Sequence, residues 1–191
     1  MALAALVGAV QARGGKLLIG EGEDSGMLVH ATGVAGLRAL SEAFGRTVGS
    51  GVKGQALALR FEAREAPQLF VDGLHIVPHA DGTVAVGSTS EPDWQDDGPD
   101  LALQGLLAKA VAAVPALLGA EVVARWAGVR PRAVSRAPLM GEWPGRAGHF
   151  VANGGFKIGF GMAPKVAEVM ADLVLEGQDG VPEGFRLQAL L

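Results

Sequence analysis

The sequence predicts an α+β fold, with a mixed, largely antiparallel sheet flanked by helices. Three observations point there. β-rich runs cluster in the middle of the chain, helical spacing lies on both sides of them, and the strict strand-helix alternation of a parallel sheet is absent. The clearest element is "LHIVPHADGTVAVGSTSE", two β-rich runs around "ADG" with apolar residues at every second place in the second run, hence a hairpin.

The other elements follow in order. "ALAALVGAVQA" reads as a helix over Ala2–Ala12, stopped by Gly14 and Gly15. It lacks the basic residues that precede the core of a signal peptide. "KLLIG" reads as a short buried strand, "GEGEDSG" as a turn and "MLVHATG" as another strand. "VAGLRALSEAFG" has helical spacing, with Leu37, Leu40 and Phe44 on one face, and "GVKGQALALRFE" alternates like a strand. Beyond the hairpin, the polar loop "EPDWQDDGPD" ends on Asp100, placed to cap the helix "LALQGLLAKAVAAVPAL", which Pro115 ends or kinks. "EVVARWAGVRP" reads as a strand running into an Arg-Pro corner, "HFVANGG" as another strand, and residues 163–176 as a helix ended by Gly177.

Composition narrows the function classes. A chain of 191 residues can bury one good core, and no internal linker stands out, so one compact unit is expected. With 49% hydrophobic and only 19% charged residues the chain is globular, not disordered. A net charge of −4 leaves no broad basic surface for nucleic acid or anionic lipid. The absence of cysteine excludes a disulfide scaffold, a thiolate metal site and a cysteine nucleophile together, and fits a cytoplasmic location. No stretch reaches the roughly 18 to 20 uninterrupted apolar residues that a membrane span requires.

Several motifs fail on inspection. "IGEGEDSG" follows a strand, but Gly20, Gly22 and Gly26 miss the G-x-G-x-x-G spacing, and Glu21, Glu23 and Asp24 would repel a pyrophosphate. It reads as a surface turn. "GVKGQ" misses the P-loop pattern, no G-x-S-x-G elbow is present, and His30, His75, His79 and His149 show no metal-ligand spacing. Three stretches remain. His75 sits in an apolar strand, where a satisfied core or edge histidine is the ordinary reading and a site residue the other. Arg130 follows a Gly-Val step and precedes a proline, and fits either a carboxylate clamp or a structural ion pair. "NGGFKIGFGMAP", residues 153–164, puts four glycines and Lys157 before a helix start, whose free N–H groups and partial positive charge suit an anion.

The order of these blocks resembles the C-terminal half of the D-amino-acid oxidase superfamily of FAD-dependent oxidoreductases, with glycine oxidase, D-amino-acid dehydrogenase and sarcosine oxidase as relatives. "LVHATG", "GVKGQAL", the hairpin, "RWAGVRPRAVSRAPLMGEWP" and "FVANGGFKIGFGMAPKVAEVMADLVL" carry the likeness over roughly residues 28–175. The resemblance implies that Arg130 binds a substrate carboxylate above the flavin and that His75 lines the substrate cavity, where glycine oxidase-like members have tyrosine. It implies that Gly154, Gly155, Phe156, Lys157, Ile158, Gly159 and Phe160 wrap the pyrimidine edge of the flavin, with Lys157 also reaching the carboxylate. Hydride transfer from the amine-bearing carbon to the flavin then needs no side chain as obligatory acid or base.

The same resemblance implies a substrate-binding-like domain over residues 34–125 and a remnant of the FAD-binding domain over residues 1–33 and 126–191. The family's ADP-binding Rossmann unit has no counterpart here. The chain is therefore expected to be a truncated enzyme or one subunit of a split one, to bind FAD weakly by itself, and to self-associate through the apolar face left bare. The alternative is a non-catalytic domain of this fold that binds a partner chain or a small carboxylate.

Overall fold

The computed structural model describes residues 2–20 and 22–190. In chain order the elements are α1 (Ala2–Ala12), β1 (Leu28–His30), α2 (Gly33–Phe44), β2 (Gly49–Arg60), β3 (Leu69–Val71), β4 (Leu74–Pro78), β5 (Thr83–Gly87), α3 (Ala102–Ala113), β6 (Val122–Ala133), β7 (Leu139–Glu142), β8 (His149–Asn153) and α4 (Gly159–Glu176). They form a five-stranded sheet ordered β3-β4-β5-β2-β6, antiparallel throughout, and a three-stranded sheet ordered β1-β8-β7. β1 runs parallel to β8, and β7 antiparallel to it, so the mixed, mainly antiparallel expectation holds.

Period-two alternation decides which sheet face is covered. Leu57, Leu59, Leu74, Ile76, Val84 and Val86 lie on one face of the large sheet and pack with Leu103, Leu106 and Leu117 from α3 and the turn after it. A second core joins Leu37 and Leu40 of α2 to Val48, Trp143, Val151 and Leu187, and a third joins Phe150 of β8 to Val169, Met170 and Leu173 of α4. Asp100 caps α3, its Oδ1 accepting from the Ala102 N–H at 2.8 Å. Gly177, with φ 67°, closes α4 in the left-handed conformation.

Three local expectations are corrected. Residues 16–19 form no strand: Ile19 is 96% exposed, and an apolar run with no neighbour to pair with or pack on stays single. Glu21, in the turn that follows, lies outside the described residues. β6 does not turn at Arg130-Pro131 but continues to Ala133, with Pro131 opposite Gly51. β6 is the edge strand of its sheet, where a residue without an N–H is tolerated. Finally, α4 begins at Gly159, not near residue 163, because the 3-10 turn Phe156–Ile158 feeds into it and Pro164 sits inside the helix.

The β1–β8 pair also brings together two histidines that spacing did not connect. His30 Nε2 lies 2.9 Å from His149 Nδ1, and the His30 ring meets Trp143 edge-on at 5.0 Å. Burial first, then the His149 and Arg146 charges, hold His30 below its ordinary 6.5, with Asp24 opposing. A lowered folded value means that the unfolded chain takes up the proton first, so stability is lost as pH falls below 6.5. Thermal melts are expected to show the melting temperature dropping with acidification over that range, and His30→Gln should flatten the drop. An unchanged slope in the variant would remove His30 as its source.

Candidate functional site

On the second face of the five-stranded sheet, Ala56 and Ala58 are buried at the centre while Trp126, His75 and Phe70 are exposed at the margins. One row of paired residues crosses this face, Trp126 to Ala56 to Gly87 to His75 to Phe70. Small side chains form the floor between aromatic margins: Trp126 is 44% exposed on one side, and Phe70 packs against His75 at 4.5 Å on the other. Arg130, four residues after Trp126 on β6, shares this face because every second strand residue does.

Arg130 is half-buried, and its guanidinium sits over Gly54. A Cβ at Gly54 would fall 1.6 Å from Nη2 and 2.3 Å from Cζ. Nη2 donates to Ser88 Oγ at 2.7 Å and to the Thr89 carbonyl at 3.0 Å. Nη1 is buried with no hydrogen-bond partner among the described residues. Arg130 also belongs to none of the ion pairs found among those residues, although the Glu91 charge acts on it from a distance. Burial therefore draws its pKa downward while Glu91 opposes. A buried donor left unpaired costs about 1–3 kcal/mol, which an incoming anionic oxygen would recover.

The glycine turn borders the same face at the far end of β6. Arg132 bridges to Gly155, and the Arg132 guanidinium lies 5.8 Å from the centre of the Phe156 ring. Asn153 anchors the turn, donating from Nδ2 to the Gly33 carbonyl at 2.8 Å and accepting the Gly154 N–H at 2.7 Å. Gly154 has φ 76°, and a Cβ there would meet Ala133 Cβ at 2.8 Å; one at Gly155 would meet Gly159 Cα at 2.7 Å. These two glycines are thus required by the chain's own packing. Gly159 and Gly161, by contrast, face open space. Lys157 is exposed with Nζ 5.7 Å from the Phe156 ring centre, Ile158 is exposed, and Phe160 is 77% exposed. A cleft of about 490 Å³, lined by Val29, Pro131, Gly154, Phe156 and Met170 among others, opens beside the turn.

The structure therefore brings Arg130 and the glycine turn to one strand of one sheet, while His75 stands apart. His75 Nδ1 is 3.0 Å from Gln68 Nε2, and its side chain is exposed on β4, two strands or about 10 Å from Ala56 at ordinary strand spacing and farther still from Gly54. No contact joins Lys157 to Arg130 among those described. Reading the sequence alone missed Trp126, Ser88 and Gly54. Trp126 was recoverable from its spacing of four to Arg130, and Gly54 from being a glycine inside a strand, the usual mark of a close approach.

Fold and face together define an α+β domain whose open sheet surface carries an anion-receptive arginine beside a glycine turn and a helix start. The family model of FAD dependent oxidoreductases matches residues 3–173, so the chain belongs to that family. It is 36% identical to glycine oxidase of Pseudomonas putida over 125 residues, covering 64% of this chain and 34% of that protein. It is 32% identical to glycine oxidase of Pseudomonas aeruginosa over 164 residues, covering 85% of this chain and 42% of that protein. The crystal structure of glycine oxidase from Geobacillus kaustophilus superposes with a TM-score of 0.74 at 31% identity, over 84% of this chain and 45% of that one. The chain thus spans less than half the length of these relatives.

The packing at Gly154 yields a direct test. Gly154→Ala forces a side chain into a left-handed backbone conformation and against Ala133, and should cost about 1–3 kcal/mol of unfolding free energy in urea titrations. A variant as stable as the parent would mean that the turn relaxes freely.

Proposed function

We propose that this chain is the substrate-binding half of an FAD-dependent oxidoreductase that oxidises the C–N bond of an amino acid or related amine. One observation carries the reading: Arg130 on the open face, with a buried Nη1 that no described residue satisfies. A substrate carboxylate is the simplest group to satisfy it, and glycine oxidase, the name borne by several relatives, agrees with a small amino acid.

The residues present fit a flavin on this face. Ala56 and Gly87 leave a flat floor, and Gly159 and Gly161 leave the helix start unobstructed. In this reading residues 154–160 line the pyrimidine edge, and Lys157 adds a cation there. When bound, FAD supplies the acceptor for the hydride. The chain's own work is positional. Arg130 holds the carboxylate and so orients the carbon bearing the amine; His75 and Phe70 close the far wall; the apolar floor keeps water away. No side chain of this half has to act as acid or base once the amine is neutral.

The remaining contacts to the cofactor belong to a unit outside this sequence. In support, α1 buries none of its residues, and Leu3, Leu6, Leu17, Leu18 and Met27 are all exposed. Such a surface suits coverage by the rest of the enzyme, by a partner subunit or by a second copy of the chain. Among the described residues no helix is long and apolar enough to cross a membrane.

Two measurements test the proposal. The isolated chain, mixed with FAD and desalted, is expected to lose the flavin absorbance; tight stoichiometric retention would show that it is no half site. In the flavin-loaded complete enzyme, Arg130→Ala should raise KM for the amino acid about 100-fold or more, because a buried carboxylate loses its charged partner. Unchanged kinetics would take Arg130 out of the site.

A further inference from the structure

The triplet Lys53-Gly54-Gln55, from the "GVKGQ" stretch that matched no phosphate loop, has an unusual environment. Gln55 is fully buried and the Lys53 side chain is only 2% exposed, two long polar groups inside a β-strand. Their partners account for both. Lys53 Nζ donates to Asp100 Oδ2 at 2.7 Å, and Gln55 Oε1 accepts the Asp100 N–H at 2.8 Å. Gln55 Nε2 donates to the two Glu91 carboxylate oxygens at 3.0 and 3.2 Å.

The backbone repeats the pattern. Lys53 and Glu91 exchange N–H to carbonyl bonds, both 2.9 Å. The Gln55 N–H donates to Thr89 Oγ1 at 2.8 Å, the Thr89 N–H donates back to the Gln55 carbonyl at 3.1 Å, and Thr89 Oγ1 donates in turn to Glu91. Residues 88–91, which follow β5, are thereby stitched to the middle of β2. Those residues supply both acceptors of Arg130 Nη2, Ser88 Oγ and the Thr89 carbonyl. Gly54, pointing to the opposite face from its neighbours, vacates the space that the guanidinium fills.

We propose that Lys53, Gly54 and Gln55 together form a positioning device for Arg130: Gly54 is the seat, and Lys53 and Gln55 fix the segment whose oxygens aim the guanidinium and leave Nη1 free. The inference rests on Arg130 as the carboxylate anchor for its purpose, but its geometry can be tested separately. A network serving stability alone has no need of a glycine at its centre. With Gly54→Ala the clash falls on the far end of a flexible side chain, so the fold can persist while the guanidinium is displaced.

The test is nuclear magnetic resonance of the arginine side chains in the whole 191-residue chain, with the Arg130 signals assigned by their loss in Arg130→Lys. Nη2 held by two acceptors should rotate slowly and give Arg130 separate Nη1 and Nη2 signals in the parent. Gly54→Ala and the milder Thr89→Val should each lose that separation while melting cooperatively. Leu106→Ala, which weakens the core on the covered face, should lower the melting temperature and keep the separation. The inference is overturned if the parent already shows one averaged signal, if separation survives in Gly54→Ala or in Thr89→Val, or if Leu106→Ala abolishes it too. Acetate added to the parent checks the underlying reading: unmoved Arg130 signals with the separation intact would sink the carboxylate role and leave the positioning device standing.

Discussion

The pairing of β2 with β6 is the constraint on which the rest depends. It runs from Gly49 opposite Ala133 to Leu59 opposite Val122, with one register irregularity near Ala58. Because side chains alternate along a strand, this one register decides which residues enter the core and which face outward. A one-residue slip would turn Arg130 to the core side if Leu57 and Leu59 stayed buried, or would expose the two leucines if Arg130 kept its face. The hydrophobic side of the pair therefore fixes the position of the arginine on the other side.

That coupling explains why the open face is built of small residues. A sheet face without a covering layer normally carries polar side chains, as alternation in antiparallel sheets usually provides. Here Gly54, Ala56, Ala58, Ala85 and Gly87 occupy it instead. A flat apolar floor has little value to a free surface and much to one that receives a planar ligand. The price is a surface that depends on what covers it, in keeping with the bare α1 and with a match that spans less than half the length of the relatives.

Much of the fold was legible because periodicity is local. α2 showed its buried stripe through Leu37 and Leu40, and the β4–β5 hairpin through its alternation around Asp81-Gly82. Two short elements were not: β3 and β7 have three and four residues, too few for a period to register, whereas the equally short β1 was read from its β-rich run. The strand expected at residues 16–19 failed for a related reason, since an apolar run states that it wants a neighbour but not whether one exists. Pro131 suggested a corner because nothing local reveals that β6 is an edge.

The site divides along the same line. Arg130 was identifiable as a residue of interest, but its hydrogen-bond partners, Ser88 and Thr89, lie some forty residues away in sequence. The "GVKGQ" stretch misled more instructively. Tested as a phosphate loop it failed, and a glycine between two polar residues then looked incidental. In the strand it separates two faces with different demands, burial and hydrogen bonding for Lys53 and Gln55, vacancy for Gly54. A motif defined by backbone contact to a ligand and one defined by room for a distant side chain look alike in one dimension. Only the partner strand, by bringing Arg130 over the gap, tells them apart.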